Sequence, residues 1–483
     1  MAQTEDNVKV IDSYKLQVDG IVVDVSIYTE ESETVPLYNL SILNISATTQ
    51  RILNKLREEF ISRVNIGTVS DDDETDIKER FKQEIRILIK KYFPGIDPST
   101  TELLVNHVIQ QNVGLGNIEI LLKDANLEEI VVNTSKEPVW VYHRKHGWLK
   151  TNVTIQSDSR IRHYATTIGR EVGKEITLLK PLMDAHLSTG DRVNATLNPI
   201  SSKGNTITIR KFAEKPWSIV DLINSKTMNF EAAAWVWLAI QNELPMIIAG
   251  GTGSGKTSTL NAISNFFPPN QRIISIEDTR ELTLPNTLHW VPMETRLSNP
   301  EGKGEITMLD LVVNSLRMRP DRIVMGEVRK KAEAEVLFEA MHTGHSVYAT
   351  LHANSAEETI TRLTTPPIEV PKAVLSSLAL LLVQNRNRRT GTRRTLQFAE
   401  VEKNGDPRVL MQLDVLKDKL LKVQEPGRIL ETLNLYTGLT PAEVKKDLND
   451  KISVLKWLVS ENINDVHQIG LIMAKYYAGK LRM

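Results

Sequence analysis

The sequence contains no cysteine, few aromatic residues and no long apolar segment. Because none of its 483 residues is a cysteine, disulfides and cysteine-ligated zinc or redox sites are excluded. No segment approaches the roughly 18 consecutive apolar residues that would span a bilayer. The longest apolar segment, AVLSSLALLLV at 373–383, is predicted to be a buried helix. The first residues, MAQTEDNVKVIDSY, show neither a basic segment nor an apolar run, so no signal peptide is predicted and a cytosolic location is expected.

The sequence also lacks an excess of charge of either sign. Lysine and arginine total 59, aspartate and glutamate total 60, and the net charge is −1. Overall charge therefore favours neither nucleic acid nor an anionic membrane as a partner, although a local basic patch stays open. With 41% apolar and 25% charged residues, the composition is typical of a globular protein. The length predicts two to four domains.

The most informative segment is IIAGGTGSGKTSTLNAI, which begins at Ile247. An apolar strand, a glycine-rich loop and the start of a helix follow one another, and the loop matches the phosphate-loop pattern G-x-x-x-x-G-K-[ST]. Glycines let backbone N–H groups surround a polyphosphate. Lys256 can reach the β- and γ-phosphates, and Thr257 can place its hydroxyl on Mg²⁺. The predicted nucleotide-binding residues are Gly250, Gly251, Thr252, Gly253, Ser254, Gly255, Lys256, Thr257 and Ser258.

The N-terminal region carries no catalytic motif. Its patterns predict a pair of strands around Asp19-Gly20 and helices at 48–66 and 77–92. The acidic segment TVSDDDETD at 68–76 is typical of solvated surface. Changes in pattern divide the whole chain into an N-terminal extension at 1–97, an α+β domain at 98–211, a linker at 212–226, and an α/β domain with a helical C-terminal part at 227–483.

Short apolar strands alternate with helices between residues 227 and 400. This alternation predicts a mostly parallel sheet with helices on both faces, and ligands of such sheets bind at the carboxyl ends of the strands. Glu277 and Asp278 end one strand, where they could hold Mg²⁺ through water or activate an attacking water; a helix N-cap is the structural alternative. Glu327 follows Gly326 after another strand, at the position of the Mg²⁺-binding acid of phosphate-loop ATPases.

Three histidines surround the next predicted strand. His342, His345 and His352 do not fit a zinc-ligand spacing. His352 is interpreted as a sensor of the γ-phosphate, because its strand ends beside the predicted nucleotide. His345 is expected to pack against or orient that strand.

Two groups of arginines could reach phosphates. Arg192 lies in a turn and Arg210 ends a strand just before the linker, and either could contact phosphate bound elsewhere or be an exposed strand-end residue. The segment QNRNRRTGTRRTLQF is predicted to be a solvated hairpin or a subunit contact, since no aromatic residues alternate with its arginines. Nucleic acid or lipid phosphate stays an alternative for this segment. Its arginines are Arg386, Arg388, Arg389, Arg393 and Arg394.

Four segments in order resemble the type II/type IV secretion ATPase superfamily: GGTGSGKT, ISIEDTREL, LRMRPDRIVMGEVR and TGHSVYATLHA. Members power pilus assembly, protein secretion, archaellum rotation and conjugation. The resemblance covers residues from about 100 onward. The chain lacks the four-cysteine zinc insertion of many bacterial members, and the residues of its four motifs are more similar to those of archaeal members.

The resemblance implies an α/β fold: a RecA-like C-terminal domain with a phosphate loop and an α+β PAS-like N-terminal lobe. The helical patterns before residue 98 predict a small helix-rich extension in front of them. The resemblance also implies ATP and Mg²⁺ as ligands, a homo-hexameric ring, and a polytopic membrane platform protein as partner. The protein would then be cytoplasmic and peripherally attached to the cytoplasmic membrane.

The resemblance further implies roles for single residues. Lys256 would bind phosphate, Thr257 and Glu327 would hold Mg²⁺ partly through water, and Glu277 would be the general base, although the two glutamates could exchange roles. Arg192 and Arg210 would contact phosphates across a lobe or protomer boundary, and His345 and His352 would couple nucleotide state to lobe closure. Weaker candidates for phosphate contact are Arg280, Arg317, Arg319 and Arg329.

The predicted function is a hexameric ATPase that drives assembly of type IV pilus-like filaments or type II-like secretion. An archaellum motor is one alternative. A nucleic-acid or conjugative DNA-translocation ATPase is another, supported by the arginine-rich segment alone. A scaffold that binds nucleotide without hydrolysis is disfavoured by Lys256, Glu277 and Glu327.

Overall fold

The structure is a computed structural model. It describes residues 8–18, 21–42, 49, 51–53, 55–56, 59–60, 74–112, 115–187, 189–212, 215–296, 298 and 302–481. The chain divides into two compact units, Met1–Glu214 and Lys215–Met483. The predicted turn at Asp19-Gly20, part of the predicted helix 48–66, and residues 68–73 of the acidic segment lie outside the described residues. The predicted four-part division of the chain stays a prediction.

The first unit contains one nine-stranded sheet. Its strands are β1 (Lys9–Val18), β2 (Ile21–Thr29), β3 (Leu37–Ile42), β4 (Leu127–Val132), β5 (Trp140–His143), β6 (Gly147–Thr151), β7 (Leu182–His186), β8 (Arg192–Thr196) and β9 (Thr206–Arg210). Their order in the sheet is β1-β2-β3-β6-β5-β4-β9-β8-β7, and only β3 and β6 pair in parallel among these strands. The helices whose bounds fall within the described residues are α1 (Glu74–Tyr92), α2 (Pro98–Asn112), α3 (Asn117–Lys123) and α4 (Asp158–Glu171).

The strands of the first unit show alternating burial. In β9, Ile207 and Ile209 are buried while the flanking threonines are half exposed, because successive side chains of a strand point to opposite faces. Helix α4 packs on the buried face through Ile161 and Ile168. One face of the sheet therefore forms a core, which agrees with the predicted α+β class.

The second unit contains a second nine-stranded sheet. Its strands are β10 (Met246–Gly250), β11 (Arg272–Glu277), β12 (His289–Glu294), β13 (Arg322–Met325), β14 (Ser346–Leu351), β15 (Leu380–Arg386), β16 (Arg393–Val401), β17 (Pro407–Asp414) and β18 (Lys419–Lys422). Their order is β12-β11-β13-β14-β10-β15-β16-β17-β18. The strands from β12 to β15 in that order are parallel and the rest are antiparallel. The helices are α5 (Ile219–Asn224), α6 (Phe230–Gln241), α7 (Lys256–Ile263), α8 (Met308–Ser315), α9 (Lys331–His342), α10 (Ala356–Thr364), α11 (Arg428–Thr437), α12 (Pro441–Ser460) and α13 (Val466–Tyr477).

Helices cover both faces of the second sheet. Strands β10, β13 and β14 are buried along their whole length, which explains why they read as continuous apolar runs. In β10, Ile247 joins a core cluster with α8, α9 and α10, whereas Ile248 joins the cluster with α6, α7, α12 and α13. The predicted α/β class with a RecA-like, mostly parallel sheet is confirmed.

The predicted helix start at Thr440 is confirmed, whereas the predicted buried helix at 373–383 is wrong. Thr440 caps α12: its hydroxyl accepts from the Glu443 N–H at 3.3 Å, and Glu443 accepts from the Thr440 N–H at 2.8 Å. Residues 373–383 instead form part of a 3₁₀ helix, Lys372–Ser377, and most of strand β15. β15 lies between β10 and β16, and a strand buried on both faces has the same continuous apolar pattern as a buried helix.

Within the part of the chain that the structure describes, every helix is too short or too polar to cross a membrane.

Candidate nucleotide-binding site

The phosphate loop, residues 250–257, joins β10 to α7. Gly253 and Gly255 have φ values of +69° and +94°, which strain any residue with a Cβ. At Gly250, an added Cβ would lie 2.3 Å from Ser254 Oγ and 2.6 Å from the Gln384 carbonyl oxygen. The loop geometry therefore requires glycine at these three positions.

Lys256 turns its ammonium group into this loop. Its Nζ donates to the carbonyl oxygens of Gly250 at 2.8 Å and Gly251 at 3.1 Å. Burial lowers the pKa of Lys256, and the nearby carboxylates of Glu327 and Glu281 oppose that shift. The loop thus presents a partly desolvated ammonium group at the N-terminus of α7, where the helix dipole also favours an anion.

Four candidate residues converge at one edge of the second sheet. Glu277 is the last residue of β11, Glu327 follows β13, His352 follows β14, and Lys256 begins the helix after β10. These four strands are parallel neighbours, so their carboxyl ends lie at the same edge. The structure therefore places the ammonium group, both acids and the histidine at the same edge of the sheet.

Glu277 is the buried acid of this edge, with 3% of its surface exposed. Its Oε1 accepts hydrogen bonds from the backbone N–H groups of Glu281 at 2.9 Å and Leu282 at 3.1 Å. Burial raises the pKa of Glu277 to about 7, and those two hydrogen bonds oppose the shift. A carboxyl group with this pKa can exchange a proton near neutral pH, as a general base requires.

Glu327 is held by an arginine that also holds a second acid. Arg329 donates to Glu327 Oε2 through Nε at 3.0 Å and Nη2 at 2.7 Å, and its Nη1 donates to Asp278 Oδ2. The preceding Gly326 is fixed by neighbouring strands: its carbonyl accepts from Thr350 Oγ1 at 2.5 Å. Arg329, a weaker candidate for phosphate contact, is thus bound to two acids of this edge.

A cavity of about 190 Å³ opens beside this arginine. Two weaker candidates for phosphate contact, Arg317 and Arg319, are exposed and do not line this cavity. A third, Arg280, lies over the ring of Trp290, with its Cζ 5.1 Å from the ring centre. The cavity lining is Asp278, Thr295, Arg296, Glu305, Ile306, Thr307, Met308, Glu327, Arg329, Lys330 and Glu333.

The segment after β14 contributes an asparagine that is not among the predicted site residues. Asn354 Oδ1 lies 3.0 Å from the position that a Cβ on Gly251 would occupy, so it contacts the phosphate loop. Its N–H and Nδ2 both donate to Glu358, at 2.9 and 3.1 Å. Its place two residues after His352, at a strand end, was the available signal. His345 lies at the opposite end of β14, away from this edge.

The arginine-rich segment also reaches the loop. It forms the predicted hairpin, β15–β16, but Arg393 Nε donates to the Gly253 carbonyl at 3.0 Å. Arg386 Nη1 lies 2.9 Å from the position of a Cβ on Gly253. The prediction of a solvated hairpin is therefore wrong for these two arginines and correct for the exposed Arg388 and Arg389. The strand pairing that aims Arg386 and Arg393 at the loop leaves no sequence signal.

Arg192 and Arg210 belong to the first unit. They are paired residues of the neighbouring strands β8 and β9, so the structure places them side by side. Arg192 is bound by Asp184, with Nη2 2.8 Å from Oδ2, and Arg210 pairs with Glu129 of β4. Their predicted phosphate contact stays a prediction.

The donor set around the loop fits a nucleotide with Mg²⁺. Ser254 Oγ is buried without a hydrogen-bond partner in the structure as described, which suits a loop that receives an external oxygen. The described residues contain no group of three or more His, Cys, Asp or Glu side chains arranged to hold a metal. Thr257 and Glu327 carry side-chain oxygens that could serve as ligands, and Mg²⁺ commonly takes one or two protein oxygens together with phosphate and water. The residues therefore fit Mg²⁺ bound chiefly through nucleotide.

Comparison with known proteins yields one family and several relatives. The model of the family "Type II/IV secretion system protein" matches residues 111–408. Uncharacterized protein MJ0781 of Methanocaldococcus jannaschii is 38% identical over 348 residues; this match covers 70% of the present chain but only 46% of that protein. The type IV secretion system protein PtlH of Bordetella pertussis is 30% identical over 266 residues, covering 50% of this chain and 77% of PtlH. The X-ray structure of the Legionella pneumophila ATPase DotB matches with a TM-score of 0.44 at 20% identity, covering 75% of this chain and 94% of DotB.

Proposed function

The chain belongs to the type II/type IV secretion ATPase superfamily, and from that premise we propose that it hydrolyses ATP to drive assembly of pilus-like filaments or type II-like secretion. The main support for ATP hydrolysis is that the phosphate loop with Lys256 and the buried acid Glu277 lie at the same edge of the sheet. The same edge carries Glu327 and His352.

Nucleotide binding uses the loop and the lysine. Backbone N–H groups of the phosphate loop bind the phosphates, and Lys256 exchanges its two carbonyl acceptors for phosphate oxygens. The exchange is favourable because an ammonium group binds a charged oxygen more strongly than a neutral carbonyl.

Hydrolysis uses Glu277 as the general base. Its carboxylate takes a proton from the attacking water as the water oxygen bonds to the γ-phosphorus and the bond from that phosphorus to ADP breaks. The Thr257 hydroxyl and the Glu327 carboxylate would hold Mg²⁺, partly through water, and the bound ion would supply positive charge that offsets charge developing on the phosphates. The raised pKa of Glu277 favours it over Glu327 as the base, and His352 is proposed to sense the γ-phosphate.

The assembly and its partners are also part of the proposal. Six protomers form a ring on the cytoplasmic face of a membrane and act on a polytopic platform protein, and Arg192 and Arg210 contact phosphate during the cycle. Support comes from the family. An archaellum motor uses the same chemistry, and the similarity to an archaeal relative keeps that alternative in place.

A nucleic-acid motor has less support than the sequence alone provided. Of the five arginines in the arginine-rich segment, Arg386 and Arg393 contact the phosphate loop, and Arg394 donates to Asp418 at 2.7 Å. Addition of duplex DNA is expected to leave the ATPase rate unchanged. DNA stimulation that falls steeply with salt would favour this alternative instead.

The direct test is phosphate release from ATP in the presence of Mg²⁺. Wild-type protein is expected to release phosphate, and Lys256→Ala is expected to abolish release while the fold is retained. Lys403→Ala is the matched control, because that side chain is 81% exposed and its ammonium group forms a surface ion pair with Glu431 at 3.0 Å. Wild-type turnover in Lys256→Ala would remove the assigned site, and no turnover by the wild type would remove the proposed hydrolysis.

A further inference from the structure

The β15–β16 hairpin directs two guanidinium groups onto a single residue of the phosphate loop. Arg393 Nε donates to the Gly253 carbonyl at 3.0 Å, and its Cδ lies 3.4 Å from the position of a Cβ on Gly255. Arg386 Nη1 lies 2.9 Å from the position that a Cβ on Gly253 would occupy. The loop is therefore held from outside at one of its two glycines with positive φ, since Gly253 has φ +69°.

The backbone of the same hairpin is bound to the segment that precedes α6. The Arg393 carbonyl accepts from Thr227 Oγ1 at 3.1 Å, and the Thr395 N–H donates to the Thr227 carbonyl at 2.7 Å. Arg394 Nη1 donates to the Ser225 carbonyl at 3.0 Å. Residues 225–227 directly follow α5, the first helix of the second unit. One series of hydrogen bonds thus connects the start of this unit to the phosphate loop.

The contact with Gly253 bears on nucleotide binding for a geometric reason. The directions of the loop N–H groups are set by the backbone angles at 253–255, and those groups bind phosphate only when they point inward together. A guanidinium donor to a carbonyl is a charge-assisted hydrogen bond, roughly twice as strong as a neutral one. Arg393 therefore restrains the peptide group between Gly253 and Ser254 in the phosphate loop.

We propose that Arg393 is a positioning residue for the phosphate loop. Because residues 225–227 in turn hold Arg393, the affinity for a nucleoside diphosphate depends on them as well. The inference rests on the proposed nucleotide-binding function. It assigns to this hairpin a part in substrate binding, beyond the residues of the phosphate-loop motif.

The test compares substitutions at two arginines of one hairpin. Binding of a fluorescent ADP analogue is titrated for the wild type, Arg393→Met, Arg393→Lys and Arg388→Met. Arg393→Met is expected to weaken binding about tenfold, the equivalent of one charge-assisted hydrogen bond. Arg393→Lys should recover most of the loss because its ammonium group can donate to the same carbonyl. Arg388→Met removes the same charge from an exposed turn position and should leave affinity within twofold.

Two further measurements separate positioning from simple destabilisation. Steady-state ATPase kinetics should show a raised KM with a smaller change in kcat for Arg393→Met, and its unfolding midpoint without nucleotide should match that of Arg388→Met. Thr227→Val removes the hydroxyl that donates to the Arg393 carbonyl and should weaken ADP binding about threefold, with little further loss in the Arg393→Met background.

The outcomes distinguish this inference from the proposed function. A wild type that binds no ADP would overturn both. ADP binding by the wild type together with equal affinities for Arg393→Met and Arg388→Met would overturn the positioning role alone. Strictly additive losses for Thr227→Val and Arg393→Met would overturn the dependence on residues 225–227.

Discussion

Replacing Glu277 with glutamine should stabilise the protein at alkaline pH while it abolishes hydrolysis. The carboxyl group is 3% exposed and accepts two backbone hydrogen bonds on Oε1. The amide oxygen of glutamine can accept the same two bonds, and it carries no charge that burial would penalise. The substitution therefore removes the ionisation and retains the shape and the hydrogen bonds.

The magnitude follows from the pKa of Glu277, which burial raises from 4.5 to about 7. Because the folded state binds the proton more tightly than the unfolded state, the stability from this group is present below pH 4.5 and is lost as the pH rises through 7. The full shift corresponds to about 3 kcal/mol. The advantage of Glu277→Gln over the wild type should then grow from about 1 kcal/mol at pH 5 to about 3 kcal/mol at pH 8.

Amide hydrogen exchange of peptides from β11 would measure this difference, because it reports the local opening of the second unit separately from the first. Glu335→Gln is the control, an exposed position on α9 that loses the same charge. A difference between Glu277→Gln and the wild type that is independent of pH, or shared by Glu335→Gln, would refute the burial argument. Retention of ATPase activity within tenfold would refute the assignment of Glu277 as the base.

Three further predictions follow from the same geometry. The ATPase rate of the wild type should rise with pH with a midpoint near 7, the pKa to which burial raises Glu277, because the base must be ionised; a rate flat from pH 6 to 8 would contradict this. Arg210→Ala should lower kcat at least about tenfold, as expected for loss of a charged contact to the transition state, with a smaller effect on ADP affinity in the same titration; an unchanged kcat would remove this arginine from the mechanism. Gly250→Ala should lower the free energy of unfolding by about 1–3 kcal/mol through overpacking, because its Cβ would lie 2.3 Å from a loop oxygen. Gly326→Ala, whose Cβ would have its nearest contact at 3.5 Å, should leave the free energy of unfolding nearly unchanged. Equal unfolding midpoints for the two variants would contradict the steric argument.

The features that could be predicted from the sequence are those whose cause is local. The phosphate loop is recognisable because Gly250, Gly253, Gly255 and Lys256 must all lie within one eight-residue segment for the loop to exist. The parallel sheet could be predicted because strands covered on both faces need continuous apolar runs separated by helices. Parallel alignment then places the acid after each strand at one edge, which is why Glu277 could be assigned to the site before any contact was known.

The remaining features depend on which distant residues meet, and no local pattern encodes that. Residues 380–386 are a strand because β10 and β16 offer partners on both sides, although their apolar run suits a helix equally well. The burial of Glu277, and hence its raised pKa, comes from the packing around it. Arg393 and the exposed Arg388 are alike in sequence, and only the pairing of β15 with β16 beside β10 brings one of them to Gly253. Neighbouring residues in the sequence determine local conformation, whereas contacts between distant segments form only when the whole sheet is assembled.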